Sequence, residues 1–234
     1  MEHREAVLES LTGDLPPLEV LISEELVKQA PDEWEARARA SRFPWYQVPG
    51  ERLASLSSVR STSGLCGIYE PQTRPLEEIL SLRTVLLCWE VQDPGNLGTI
   101  IRTCLAFGDF GLVQIGGCRP WSSKVARASA GGLFRIPLHR VASEEGEGLL
   151  EEMIESGFQL YSAAPRGGGH PKGIDTSQKV GLVLGNETHG IPERVQNLTK
   201  RITIPMRPGT ESLNVAITGS ILCYELKRGE SEPT

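Results

Sequence analysis

Apolar residues follow two rhythms along this chain. At 84–91, 111–115, 158–163 and 180–184 they form short, nearly unbroken runs rich in Val, Leu and Ile. Such runs predict strands covered on both faces. Between the runs, apolar positions recur every three or four residues. In 97–107 they fall at Leu97, Ile100, Ile101, Cys104, Leu105 and Phe107, the stripe of a core-facing helix that leaves Thr99 and Arg102 off it. The same reading predicts helices at 124–130, 147–156 (stopped by Gly157) and 213–227, and short strands at 135–139 and 202–205. Strands alternating with helices predict an α/β fold whose sheet is mostly parallel and wrapped on both sides.

The first 70 residues are less regular. A short helical pattern from Arg4 to Leu11 stops at Gly13 and the Pro16–Pro17 pair. Strand patterns follow at 18–23, 44–48 and 67–69, with helices after Ser23 as N-cap, after Pro31, and at 50–56. These make a small α/β domain at 1–70. A polar stretch bracketed by Pro71 and Pro75 opens a linker at 71–83, and the second domain spans 84–234. No internal repeat is visible.

Composition narrows the class. The chain has 234 residues, 39% hydrophobic and 23% charged, as in ordinary globular proteins. No apolar run is long enough to span a bilayer, and Met1–Glu2–His3–Arg4 does not open a signal peptide, so no membrane partner and a cytoplasmic location are expected. The five cysteines are scattered without a C-x-x-C pair, which reads as reduced thiols rather than disulfides or a metal site. The net charge of −6 argues mildly against nucleic acid. Its distribution softens that. Between Arg119 and Arg140 stand five basic residues (Arg119, Lys124, Arg127, Arg135, Arg140) and no acid, readable as a solvated face or as an anion-binding strip.

Candidate chemistry lies in three loop segments. Arg102, near a loop of Asp93, Gly95 and Asn96, can present its planar fork to a phosphate; it also reads as a surface Arg paired with an acid. Gly185–Asn186–Glu187 directly follows a buried strand. There Gly allows close backbone approach to a ligand and Glu187 can anchor a polar network, although an ordinary turn fits too. Ser212 precedes the last helix and serves equally as a plain N-cap. There is no G-x-S-x-G elbow, G-x-G-x-x-G or P-loop, so a Ser/His/Asp hydrolase, a dinucleotide-binding oxidoreductase and a P-loop NTPase lose their support.

In order, the segments resemble the three motifs of the SpoU/TrmH branch of the SPOUT superfamily, the RNA ribose 2′-O-methyltransferases. The first motif reads Asn96, Gly98, Arg102, Ala106–Phe107–Gly108. The second reads Gly185–Asn186–Glu187 with Gly190, and the third Ile204–Pro205–Met206 followed by Glu211–Ser212–Leu213–Asn214–Val215–Ala216. The stretch from Lys124 to Phe134 is similar to the family's middle segment.

The resemblance implies a parallel sheet with a C-terminal deep trefoil knot, an exception to the rule that chains do not knot. It implies S-adenosyl-L-methionine held by Gly185, Ile204, Met206 and Leu213, and a reaction served by Arg102, Asn96, Glu187, Ser212 and Asn214, with no metal. It also implies a homodimer and an RNA substrate, rRNA in preference to tRNA; a catalytically idle RNA- or cofactor-binding relative is the competing reading. Residues 1–70 resemble the small ribosomal-protein-L30e-like module that precedes this domain in several members, with Ser63–Gly64 where members often carry Gln-Gly.

Overall fold

The computed structural model describes residues 4–11, 15–56 and 63–231; Gly13 lies outside them. The second half is built on a six-stranded sheet. Its strands are β4 (Thr84–Trp89), β5 (Phe110–Ile115), β6 (Leu138–Val141), β7 (Phe158–Ala163), β8 (Lys179–Leu184) and β9 (Lys200–Ile202). They lie in the order β6-β5-β4-β8-β7-β9, and every pairing is parallel.

All six residues of both β4 and β5 are buried, because helices cover both faces. Alternation then divides each strand between two cores. Leu86 and Cys88 face the core built with α6 (Pro94–Phe107), α7 (Ser123–Ala128) and α10 (Val215–Ser231). Val85, Leu87 and Trp89 face the core built with α5 (Leu76–Ser81), α8 (Gly146–Glu155) and α9 (Glu193–Gln196). The helix α6 buries Leu97, Ile100, Ile101 and Cys104 and exposes Thr99 and Arg102, as its stripe dictates.

Residues 4–68 hold α1 (Arg4–Ser10), β1 (Glu19–Ser23), α2 (Glu24–Gln29), α3 (Pro31–Ala40), β2 (Trp45–Val48), α4 (Gly50–Leu56) and β3 (Leu65–Ile68). The strands form their own sheet, β2-β1-β3, with β1 parallel to β2 and antiparallel to β3. Val7, Val20, Ile22, Leu26, Trp34 and Leu65 make a separate small core. Ser23 caps α2 by accepting from the Leu26 amide at 3.2 Å. This unit is tied to the rest: Leu15 joins the large core, and the Tyr69 ring stacks on Phe134 at 4.0 Å.

Boundaries differ from the sequence reading where pairing or capping decides them. The strand expected at 202–205 is β9, Lys200–Ile202, because its partner β7 ends at Ala163, opposite Ile202. The one expected at 135–139 is shifted to Leu138–Val141, since Pro137 has no N–H to give a ladder. The final helix starts at Val215 rather than 213. Asn214, not Ser212, accepts from the first amides, those of Ala216 at 2.8 Å and Ile217 at 3.2 Å. Residues 71–83 include α5, and Thr73 and Arg74 bond along β6: the Arg74 amide donates to Leu138 O at 2.7 Å and the Arg140 amide to Thr73 Oγ1 at 3.1 Å.

Candidate functional site

Parallel strands bring all their C-terminal ends to one edge, and the segments after β4, β8 and β9 meet there. After β4 the chain turns sharply at Glu90, whose φ of 53° is rare for a residue with a side chain. Side-chain bonds hold that turn. The Glu90 carboxylate accepts from the Gly117 amide at 3.1 Å, from Gln92 Nε2 at 3.1 Å and from the Ser143 hydroxyl. Its backbone carbonyl accepts from Asn186 Nδ2 at 2.8 Å. The turn delivers Asp93 as N-cap of α6, accepting from the Asn96 amide at 2.8 Å.

Three side chains then close a polar network. Asn96 Nδ2 donates to Glu187 Oε1 at 2.8 Å, and Asn214 Nδ2 donates to Asn96 Oδ1 at 2.9 Å. The amides of Gln92 and Asp93 donate to the two Glu187 oxygens at 3.3 Å each. Partial burial pushes the Glu187 pKa up, but the bonds from Asn96 and from backbone amides outweigh it and hold the carboxyl below its ordinary value. Glu187 is therefore an anion and a pure acceptor at neutral pH.

Beside this network lies a cavity of about 630 Å³ lined by the ends of β7 and β8 and the segment after β9. Of the sequence-expected residues, Gly185, Glu187, Ile204, Met206, Ser212, Leu213 and Asn214 line it. Asn96 stands at its rim through its bonds to Glu187 and Asn214. Arg102 does not line it: it is exposed on α6 and has no hydrogen bond or ion pair among the described residues. Sequence reasoning missed Asn186, whose Oδ1 accepts from the Thr188 and His189 amides at 2.8 and 2.9 Å and so shapes the cavity wall. It also missed Arg166, in the loop after β7, and Arg201, on β9, which line the cavity. Arg201 stands three residues before the third motif, whereas only folding brings Arg166 near the motifs.

The volume lies within the range of small-molecule sites. Apolar Ile191, Ile204, Leu213 and Leu222 share the wall with polar Asn186, Ser212 and Thr218, so the cavity can take a ligand that has both apolar and polar parts. Among the described residues no group of three or more His, Cys, Asp or Glu is placed to hold a metal. The thiols are not poised for chemistry either: burial pushes Cys88 and Cys104 well above the ordinary thiol range and half-buried Cys118 up to about 11.

Comparison with known proteins agrees with this architecture of an α/β enzyme whose loops at one sheet edge frame a cofactor-sized cavity. Residues 83–224 match the SpoU rRNA Methylase family. An uncharacterized tRNA/rRNA methyltransferase of Synechocystis is 34% identical over 82% of this chain and 70% of that protein. The 23S rRNA guanosine 2′-O-methyltransferase RlmP of Bacillus subtilis is 34% identical over 65% of this chain, which spans 61% of that protein's length. The crystal structure of an AdoMet-bound rRNA methyltransferase from Sinorhizobium meliloti superposes with a TM-score of 0.83 at 27% identity, covering 97% of this chain and 86% of that one. The chain belongs to the SpoU rRNA methylase family.

Proposed function

We propose that this protein transfers a methyl group from S-adenosyl-L-methionine to a ribose 2′-hydroxyl of ribosomal RNA. The observation that carries the reading is the union, at one sheet edge, of the Asn96–Glu187–Asn214 network with the cavity framed by Gly185, Ile204, Met206 and Leu213. Those four residues hold the cofactor, which supplies an activated methyl. Ser212 and Asn214 hydrogen-bond at its rim, and Asn96 and Glu187 fix their geometry. Arg102, off the cavity and without a hydrogen bond or ion pair among the described residues, faces the RNA. It grips a phosphate and stabilises the charge that develops on the hydroxyl as its proton leaves to solvent. Holding donor and acceptor in line supplies much of the rate.

The finer fold belongs to the same proposal. After β9 at the sheet's margin, the chain returns to the centre, where Asn214 bonds Asn96 and α10 packs on α6; this path supports a trefoil knot formed by the segments from Leu184 and Ile204 onward. The separate small core and three-stranded sheet support an L30e-like domain at 1–70, a linker at 71–83 and a methyltransferase domain at 84–234. Exposed Ile217 and Tyr224, one heptad apart on α10, support a homodimer. Among the described residues no helix is long and apolar enough to cross a membrane; the rRNA reading supports a cytoplasmic location.

The test is incubation with labelled S-adenosylmethionine and separated rRNA and tRNA, followed by mapping of 2′-O-methyl positions. Label in a single rRNA ribose is the expected result. Label in tRNA alone would change the substrate. No transfer to either, with cofactor binding intact, would identify a catalytically idle relative.

A further inference from the structure

We infer that the corner formed by Arg119, Trp121, Lys124 and Arg140 is the docking site for the single-stranded RNA that flanks the target nucleotide. This inference rests on the methyltransferase reading and adds to it the surface that recognises the substrate.

The corner adjoins the site through the backbone. Cys118, just before Arg119, donates its amide to Val91 O at 2.9 Å, and Gly117 donates to Glu90. Arg140 sits opposite Gln114 at the C-terminal end of β6. Lys124 lies on α7, which packs directly on α6 where Gly98 abuts Ala128 and Ser129. Adjacent strands are ~4.8 Å apart, so β5 and β6 set Arg119 and Arg140 one and two strands from β4, whose following turn leads into the first turn of α6 and Asn96.

The chemistry is that of a nucleic-acid surface. Arg119, Lys124 and Arg140 are exposed, and their side chains have no hydrogen bond or ion pair among the described residues. Arg127 and Arg135, the other basic residues of the strip, have partners of their own. A solvated face with no function would leave little reason for an acid-free run of 22 positions from 119 to 140 in an otherwise acidic chain. Between the cations stands Trp121, half-buried. It is anchored against Phe134 at 6.1 Å, which in turn stacks on Tyr69. A fixed indole beside free cations is a platform on which an unpaired base can stack while phosphates meet the charges. A duplex keeps its bases stacked inside, so the aromatic platform selects single strands.

The probes are fluorescent single-stranded oligouridine and an RNA duplex of equal length, titrated into the full chain with S-adenosylmethionine present. Wild-type protein is expected to bind the single strand more tightly. The Arg119→Gln/Arg140→Gln double variant should bind it at least about tenfold more weakly, with the slope of log K against log salt reduced by about 1.4, at ~0.7 per lost phosphate contact. Trp121→Ala should weaken single-strand binding about tenfold, and Trp121→Phe should restore most of it. Cofactor affinity, measured separately, should be unchanged in all variants. Where rRNA methylation is observed, the KM for RNA should rise with little change in kcat. Unchanged probe affinity and salt slope in the double variant would overturn the inference, as would equal losses on duplex and single strand. If wild type methylates no RNA, the reaction assigned above fails, while the probe titrations still decide the docking site.

Discussion

Glu187 accepts from one side chain and two loop amides, and its depressed pKa follows from those bonds. A folded-state pKa below the ordinary 4.5 means that the carboxylate's contribution to stability is fully present above 4.5. It is lost as pH falls through the lower folded value. Glu187→Gln should therefore lower stability at neutral pH by about 1 kcal/mol, the modest end for charged hydrogen bonds because Glu187 is open to water. In paired denaturant titrations the gap between wild type and variant should be constant above about pH 5 and close on acidification below 4.5; a gap that persists in acid would assign the loss to packing. Arg102 makes a complementary case. With no partner among the described residues and no place in the cavity wall, Arg102→Ala should reduce methyl transfer by ~100-fold or more while cofactor affinity, read by calorimetry, stays within about twofold. A collapse of cofactor binding would contradict its assignment to the RNA side.

Among the elements, α6 shows two opposed effects that can be weighed. Gly98 lies inside the helix, where Ala is ordinarily favoured by about 0.5–1 kcal/mol. Here a Cβ would run into the Ala128 side chain and come within 2.9 Å of the Ser129 backbone nitrogen. Overpacking against backbone costs about 1–3 kcal/mol, so Gly98→Ala should be net destabilising by ~1–2 kcal/mol in equilibrium unfolding.

The same helix explains what the sequence could disclose. Its stripe and the unbroken run of β4 come from burial, and burial leaves periodic marks. The three residues of β9 leave none: its place is set by where β7 ends. Ser212 and Asn214 both suit a cap, and only the path of the incoming chain selects Asn214. Asn96, Gly185 and Glu187 were legible because they stand in motifs. Asn186, although inside one, works through a carbonyl 96 positions away, Arg166 reaches the cavity from a loop without a motif, and Arg201 from a strand that ends just before one.

For the molecule as a whole, the charge of −6 conceals a division of labour. The first 70 residues carry 12 acids against 7 basic residues, while 71–234 hold 18 against 17, with the free cations gathered beside the site. Net charge thus says little about where RNA binds. The proposed homodimer is testable at this scale too. Ile217 is 48% and Tyr224 51% exposed on one helix, so Ile217→Asp/Tyr224→Asp should leave the fold intact and shift sedimentation from dimer to monomer. If wild type already sediments as a monomer, the dimer is wrong.

The Asn96–Glu187–Asn214 network also sets a schedule. Its bonds join residues 91 and 118 positions apart, and such distant closures come late in folding because loop entropy must be overcome first. A chain emerging from the ribosome cannot complete the network until Asn214 has been made. Helical signal should return before cofactor affinity when the denatured protein is refolded, and the growing polypeptide should acquire its affinity for S-adenosylmethionine only after Asn214 has emerged.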